Sequence, residues 1–174
     1  MTQLSSKVCI LGDFAVGKTS TVERFVNNQF SEKYLTTIGV KVDTKELELE
    51  DGLNLKLVLW DVAGTDRFGE LEFNYLRGAS GHLLVADGTR AETVASARRL
   101  KEQAVERYGE MPFVVLVNKA DLTDAWEVED AELAALKGEM DHVFVTSAKT
   151  GENVVEAIER LGQLVAARDL SAKP

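Results

Sequence analysis

The octet Gly12-Asp13-Phe14-Ala15-Val16-Gly17-Lys18-Thr19 constrains this chain more than any other feature in it. Two glycines separated by four residues, then a lysine and a hydroxyl residue, match the Walker A pattern. The apolar run Val8 to Leu11 precedes the octet and reads as a strand. Lys18 to Asn27 follows it and reads as a helix burying Val22, Phe25 and Val26. Between a strand and a helix, the glycines let the backbone wrap so that its N–H groups point inward at an anion. The helix N-terminus faces the same anion. In that role Lys18 reaches the β- and γ-phosphates of a nucleotide, and the Thr19 hydroxyl coordinates Mg²⁺. An ordinary glycine-rich turn is the competing reading.

The rest of the chain is patterned for one kind of sheet. From Val42 to Glu50 the sequence alternates, with Leu47 and Leu49 on one face and Glu46, Glu48 and Glu50 on the other. That is a half-exposed strand. Asp51-Gly52 is a hairpin signal, and Leu55 to Trp60 returns antiparallel to it. His82 to Asp87, Pro112 to Asn118 and His142 to Thr146 are short and almost wholly apolar, as strands covered on both faces are. Helical spacing joins Val94, Ala97, Leu100, Ala104 and Tyr108, after a capping box at Thr89 and Glu92. Ala131 to Lys137 predicts a shorter helix, and Val154, Ile158, Leu161 and Val165 line a last one. The order β-α-β-β-α-β-α-β-α-β-α predicts an α/β fold: a six-stranded, mostly parallel sheet with one antiparallel edge strand and helices on both faces. Ligands of such sheets sit at the carboxyl ends of the strands.

Three further motifs fall at those ends. Asp61-Val62-Ala63-Gly64 closes the third strand; its carboxylate can hold Mg²⁺, usually through water, and Gly64 can turn its N–H towards a γ-phosphate. Asn118-Lys119-Ala120-Asp121 follows the fifth strand. A carboxylate only accepts hydrogen bonds. Asp121 can therefore accept from both the ring N–H and the exocyclic amine of guanine, a donor pair that adenine lacks. Lys119 would lay its stem along the base, and Asn118 would tie this loop to the phosphate loop. Ser147-Ala148-Lys149, after the sixth strand, can offer a backbone N–H to the guanine carbonyl.

In the order they stand, these motifs resemble the Ras superfamily of small GTPases, and its Rab branch most closely. The likeness covers about Lys7 to Ala166 and also rests on Thr36-Thr37-Ile38-Gly39-Val40 and Tyr75-Leu76-Arg77-Gly78-Ala79. It implies a P-loop NTPase fold of the small G-protein kind, with residues 1–174 forming one domain. It implies nucleotide contacts along Phe14, Ala15, Val16, Gly17, Lys18, Thr19 and Ser20. Phe30 would stack edge-on against guanine, and Tyr34 would lie over the phosphates. Thr37 would close on Mg²⁺ and the γ-phosphate in the GTP state, completing a metal set of Thr19, Thr37 and Asp61. Lys18, Thr37, Gly64 and Thr65 would surround the reacting phosphate. Val42, Trp60 and Tyr75, with Ile38, match an effector-reading surface; a core edge between strands is the plainer reading of the apolar three. The resemblance implies a GTP/GDP switch with effectors, an activating protein and an exchange factor.

Two departures bear on rate. Thr65 stands where family members usually carry the glutamine that orients the attacking water. Phe14 stands where a small residue is usual, beside the γ-phosphate and any incoming arginine finger. Both favour slow hydrolysis, or a guanine-nucleotide-binding module that does not cycle. An ATP-using P-loop enzyme is disfavoured by Asp121.

Charge and cysteine content narrow the partners. Lys plus Arg is 20 against 29 Asp plus Glu, a net charge of −9. Such a chain is poorly suited to nucleic acid or a bare anionic membrane. Cys9 is the only cysteine and lies in an apolar run, so it reads as a buried thiol in a reducing, cytoplasmic compartment. No signal-peptide core, bilayer-length apolar run or C-terminal lipid-anchor cysteine is present. An acidic Rab-like chain without that cysteine also resembles small GTPases of prokaryotes. His82 and His142 begin strands and read as structural.

Overall fold

The fold was determined as a computed structural model, which describes residues 3–27, 40–49, 52–62, 73–140 and 142–172. The described elements are β1 (Gln3–Leu11), α1 (Lys18–Asn27), β2 (Val40–Glu48), β3 (Asn54–Val62), β4 (Gly81–Asp87), α2 (Glu92–Tyr108), β5 (Phe113–Asn118), α3 (Asp130–Glu139), β6 (Val143–Val145) and α4 (Val154–Ala172). The helix expected between β3 and β4 falls mainly on residues 63–72, outside the described set.

The six strands form one sheet in the order β2-β3-β1-β4-β5-β6. β2 runs antiparallel to β3, with Val42 opposite Trp60 and Leu47 opposite Leu55. All other pairs are parallel. The carboxyl ends of β1, β3, β4, β5 and β6 therefore share one edge. After β1 the chain builds towards β3, and later towards β4 on the other side. A crevice opens where the winding reverses, between the ends of β1 and β4.

Alternation along the strands divides the core in two. Val8, Ile10, Leu57, Leu59, Leu83, Val85 and Leu116 face α1 and α4, against Val22, Phe25, Ile158, Leu161 and Val165. Their immediate neighbours Cys9, Leu11, Leu84, Ala86, Val115 and Val117 face α2 and α3, against Val94, Ala97, Leu100 and Leu136. Burying a side chain such as Phe25 or Leu161 contributes roughly 1.5–3 kcal/mol, so this two-sided packing holds the site edge rigid.

Two expectations need correction. Thr89 does not cap α2. The N-cap is Ala91, without a side-chain cap bond, and the Thr89 hydroxyl donates instead to Asp87 Oδ1 at 2.7 Å. The last strand is not buried on both faces: β6 is half-buried along its three residues because it is a sheet edge. Cys9 is fully buried, and burial pushes its thiol up to about 12, so it is an inert core thiol. No helix among the described residues is long and apolar enough to cross a membrane.

Candidate nucleotide site

Backbone geometry sets the phosphate loop. Ala15 (φ 63°) and Gly17 (φ 103°) are left-handed. Left-handed residues flanking Val16 make the kind of turn that gathers N–H groups into a concave anion cradle. A Cβ on Gly12 would lie 2.3 Å from the Val85 carbonyl oxygen, and one on Gly17 would lie 2.3 Å from Asn118 Nδ2. Both glycines are thus required by close approach of neighbouring chain. The carbonyls from Gly12 to Gly17 each accept a hydrogen bond, all but the last from a side chain. Lys18 Nζ donates to Gly12 O at 3.1 Å and Asp13 O at 3.3 Å. Arg90 Nη2 donates to Phe14 O at 2.8 Å, and Lys119 Nζ to Ala15 O at 2.9 Å. Asn118 Nδ2 donates to Val16 O at 3.0 Å. The Thr21 amide donates to Gly17 O at 2.9 Å.

Lys18 is buried, and burial lowers its pKa against the opposing pull of Asp61 and Asp13. An anion in the cradle would restore its preference for the charged form. Asp61 is 2 % exposed, and burial raises its pKa although Thr19 and Lys18 pull it down. Thr19 Oγ1 donates to Asp61 Oδ2 at 2.5 Å. This hydroxyl and carboxylate are hard oxygen donors side by side. Among the described residues no three His, Cys, Asp or Glu gather into a cage. The donor set fits Mg²⁺, which keeps waters and shares phosphate oxygens rather than filling an all-protein site.

The base loops join the same edge. Asn118 is 2 % exposed and is a hub. Besides its bond to Val16 O, its Oδ1 accepts from the Ala148 amide at 3.0 Å and the Thr146 hydroxyl at 3.2 Å. Ser147 Oγ donates to Asp121 Oδ1 at 2.7 Å, fixing the carboxylate. Lys119 holds a left-handed conformation (φ 73°), which is costly away from glycine and concentrated at functional loops. Its ammonium also meets Asp87 Oδ2 at 2.9 Å.

The structure therefore brings together Ala15, Val16, Gly17, Lys18, Thr19, Asp61, Asn118, Lys119, Asp121, Ser147 and Ala148. Ser20 is buried in the first turn of α1. Lys149 is exposed at the end of the last loop. Phe14 is 52 % exposed, so its ring points into solvent, while its carbonyl accepts from Arg90. Phe30, Tyr34, Thr37, Ile38, Gly64 and Thr65 lie outside the described residues. Away from the crevice, Val42 is exposed opposite Trp60, whose ring centre lies 6.4 Å from that of Tyr75. Lys7 Nζ sits 3.8 Å above the Trp60 ring centre.

Three residues of this edge had no assigned role in the sequence. Arg24, on α1, donates through Nε to Ala148 O at 2.9 Å and through Nη2 to Lys149 O, which clamps the last base loop. A lone arginine on a helix face gives no sequence signal for this. Asp87 and Arg90 lie at the end of β4 and just beyond it. A carboxylate closing an otherwise apolar strand was the available clue to Asp87.

A glycine-rich cradle on the switch-point crevice of a mixed six-stranded sheet, with a hydroxyl–carboxylate pair and two base loops beside it, defines the P-loop nucleotide-binding class. Residues 7–167 match the Ras family, and the chain belongs to that family. It is Rab-like within it. It is 35% identical over 166 residues to the Ras-related protein Rab-32C of Dictyostelium discoideum, covering 93% of this chain and 74% of that one. It is 35% identical over 174 residues to human Ras-related protein Rab-27B, covering 93% and 80%. The Ypt/Rab-type GTPase YPT7 of Saccharomyces cerevisiae is 35% identical over 166 residues, covering 90% and 79%.

Proposed function

We propose that residues 1–174 form one guanine-nucleotide switch domain that binds GTP and GDP with Mg²⁺, hydrolyses GTP slowly and recruits effectors in the GTP form. The observation that carries this reading is the bonding of Asn118 to both the phosphate loop, at Val16 O, and the last base loop, at the Ala148 amide. One residue thereby sets the distance between the phosphate cradle and the base pocket. Asp121, fixed by Ser147, accepts from the two guanine donors. A buried polar site left unpaired by the wrong base discriminates by roughly 10⁴–10⁵. Asp121→Asn is expected to shift preference towards xanthine nucleotides, because an amide can donate to the extra carbonyl. Competition binding of GDP against XDP reads this out, and unchanged guanine preference would remove Asp121 from the base site.

In the reaction, a water oxygen forms a bond to the γ-phosphorus in line with the bridging oxygen. That bridging bond breaks, and GDP and phosphate leave. Lys18 and the loop amides stabilise charge on the phosphate oxygens. Mg²⁺, when bound, neutralises phosphate charge; Thr19 and Asp61 would hold it, joined by Thr37 in the triphosphate state. Thr37 and Gly64 would contact the γ-phosphate, so its loss releases both segments and turns the switch off. Thr65 is too short to orient the water as a glutamine does. Val42, Trp60 and Tyr75, with Ile38, would form the effector face, and an exchange factor and an activating protein would act on the nucleotide state. The buried Cys9 thiol suits a cytoplasmic setting.

The unaided rate is expected to be no faster than roughly 3–5 × 10⁻⁴ s⁻¹, the rate of Ras with its glutamine. Thr65→Gln should raise it, and Phe14→Gly should mainly raise the response to an activating partner. Single-turnover phosphate release from GTP-loaded protein measures both. A wild type faster than ~10⁻² s⁻¹ would mean that another residue positions the water. No release over days, with or without cell extract, would favour a module that binds nucleotide without cycling.

A further inference from the structure

The phosphate loop owes its shape to its bonded carbonyls, and the hold on them is uneven. Lys18 covers Gly12 O and Asp13 O, but on the reading above it turns to the phosphates when nucleotide binds. The carbonyls of Phe14, Ala15 and Val16 then carry the shape, through Arg90, Lys119 and Asn118 respectively. Lys119 and Asn118 belong to the base loop. Arg90 belongs to no nucleotide motif. It lies beyond β4, across the switch-point crevice from the phosphate loop.

We propose that Arg90 is a positioning residue for nucleotide retention, bridging the buried Asp87 carboxylate to the Phe14 carbonyl. The bridge uses two nitrogens of one guanidinium. Nε donates to Asp87 Oδ2 at 3.0 Å while Nη2 donates to Phe14 O at 2.8 Å. Asp87 is 1 % exposed and is a fixed anchor. Its Oδ1 accepts from the Thr89 amide at 2.8 Å and the Thr89 hydroxyl at 2.7 Å. Its Oδ2 is shared by Arg90 and Lys119. Burial alone would raise the carboxyl's pKa, but the bonds from Thr89, Lys119 and Arg90 outweigh it and hold the group below the usual range. Two cations pinned on one carboxylate thus grip consecutive phosphate-loop carbonyls.

The segment carrying Arg90 is itself held. The Gly88 amide donates to Asn118 O at 2.9 Å, and Gly88 O accepts from the Glu127 amide at 2.7 Å. The Ala91 amide donates to Glu127 Oε1 at 3.0 Å. A planar guanidinium can span two acceptors in fixed directions, whereas an ammonium on a flexible stem acts as a point charge. Arg90→Lys should therefore keep the charge beside Asp87 and lose the bridge.

This inference rests on the guanine-nucleotide reading. The experiment loads full-length protein with fluorescent N-methylanthraniloyl-GDP and follows its release into excess GDP, with Mg²⁺ present. Arg90→Lys and Arg90→Gln are each expected to release it about tenfold faster than wild type, by loss of one charge-assisted bond worth about 1.5 kcal/mol. Arg98→Gln, which removes an ion pair with Glu139 between α2 and α3, should leave release unchanged. If Arg90→Lys releases at the wild-type rate while Arg90→Gln is fast, Arg90 serves only to neutralise Asp87, and the bridge is wrong. Wild-type release in both variants also overturns it. A wild type that takes up no guanine nucleotide would instead sink the functional reading.

Discussion

Gly17→Ala is expected to weaken guanine-nucleotide binding by about 100-fold or more. The substituted Cβ would lie 2.3 Å from Asn118 Nδ2, well inside contact distance, at a backbone φ of 103° that L side chains resist. Something must move, and the movable partner is Asn118. Displacing its amide breaks the bond to Val16 O and loosens those to the Ala148 amide and Thr146 hydroxyl. Leaving buried polar atoms unpaired costs roughly 1–3 kcal/mol each, and each 1.4 kcal/mol is about tenfold in affinity. Equilibrium titration with fluorescent GDP measures the loss. Circular dichroism should still report the sheet and helices, because the two core layers lie away from this contact. Wild-type affinity in the variant would mean that Asn118 does not couple the cradle to the base loops.

The second large effect is on acid stability. His82 is fully buried in β4, its ring 5.0 Å from that of Phe113, and neither ring nitrogen has a partner among the described residues. Burial, reinforced by the Lys7 charge, lowers its pKa from 6.5 to about 3. The unfolded chain therefore takes up this proton before the folded one does. The contribution to stability is complete above about pH 6.5 and is lost as pH falls towards 3. At about 1.4 kcal/mol per pH unit, His82 removes about 3 kcal/mol between pH 7 and pH 4. His82→Leu should flatten that part of the acid limb. Urea unfolding of the GDP-bound forms at the two pH values gives the difference, since the carboxylates that also titrate are common to both proteins. Parallel acid limbs would show that His82 meets solvent or a partner.

The phosphate and base loops were legible because their chemistry is local. Gly12 to Thr19 and Asn118 to Asp121 each carry a mechanism within a few residues, and the apolar runs of β1, β4 and β5 marked them as buried strands. Asn118 was legible as a tie between the base and phosphate loops, and it bonds Val16 O, but the two arginines that also hold the loops were not. Arg24 and Arg90 belong to no motif in the sequence, and only the crossing of the chain puts them on Lys149 O and Phe14 O. Thr89 misled for a related reason. Its spacing from Glu92 suits a capping box, but the helix begins only at Glu92 with Ala91 as N-cap, so Thr89 lies ahead of the cap position and its hydroxyl donates to Asp87 instead. β6 looked like β4 and β5 because short apolar runs carry no sign of whether a strand is central or at an edge. Phe14 belongs to the phosphate loop by its place in the motif, but the direction of its exposed ring depends on the loop's left-handed turns, which the sequence does not specify.

The central claim is that the crevice takes a guanine nucleotide, and the contents of the purified protein test it most directly. The protein is isolated in Mg²⁺ buffer and denatured, and the released nucleotide is separated by ion-exchange chromatography. GDP or GTP in an amount equal to the protein is the expected result, falling to none when Mg²⁺ is chelated before the final desalting. ADP or ATP in that amount, or a protein that emerges empty and takes up no added GDP, would contradict it.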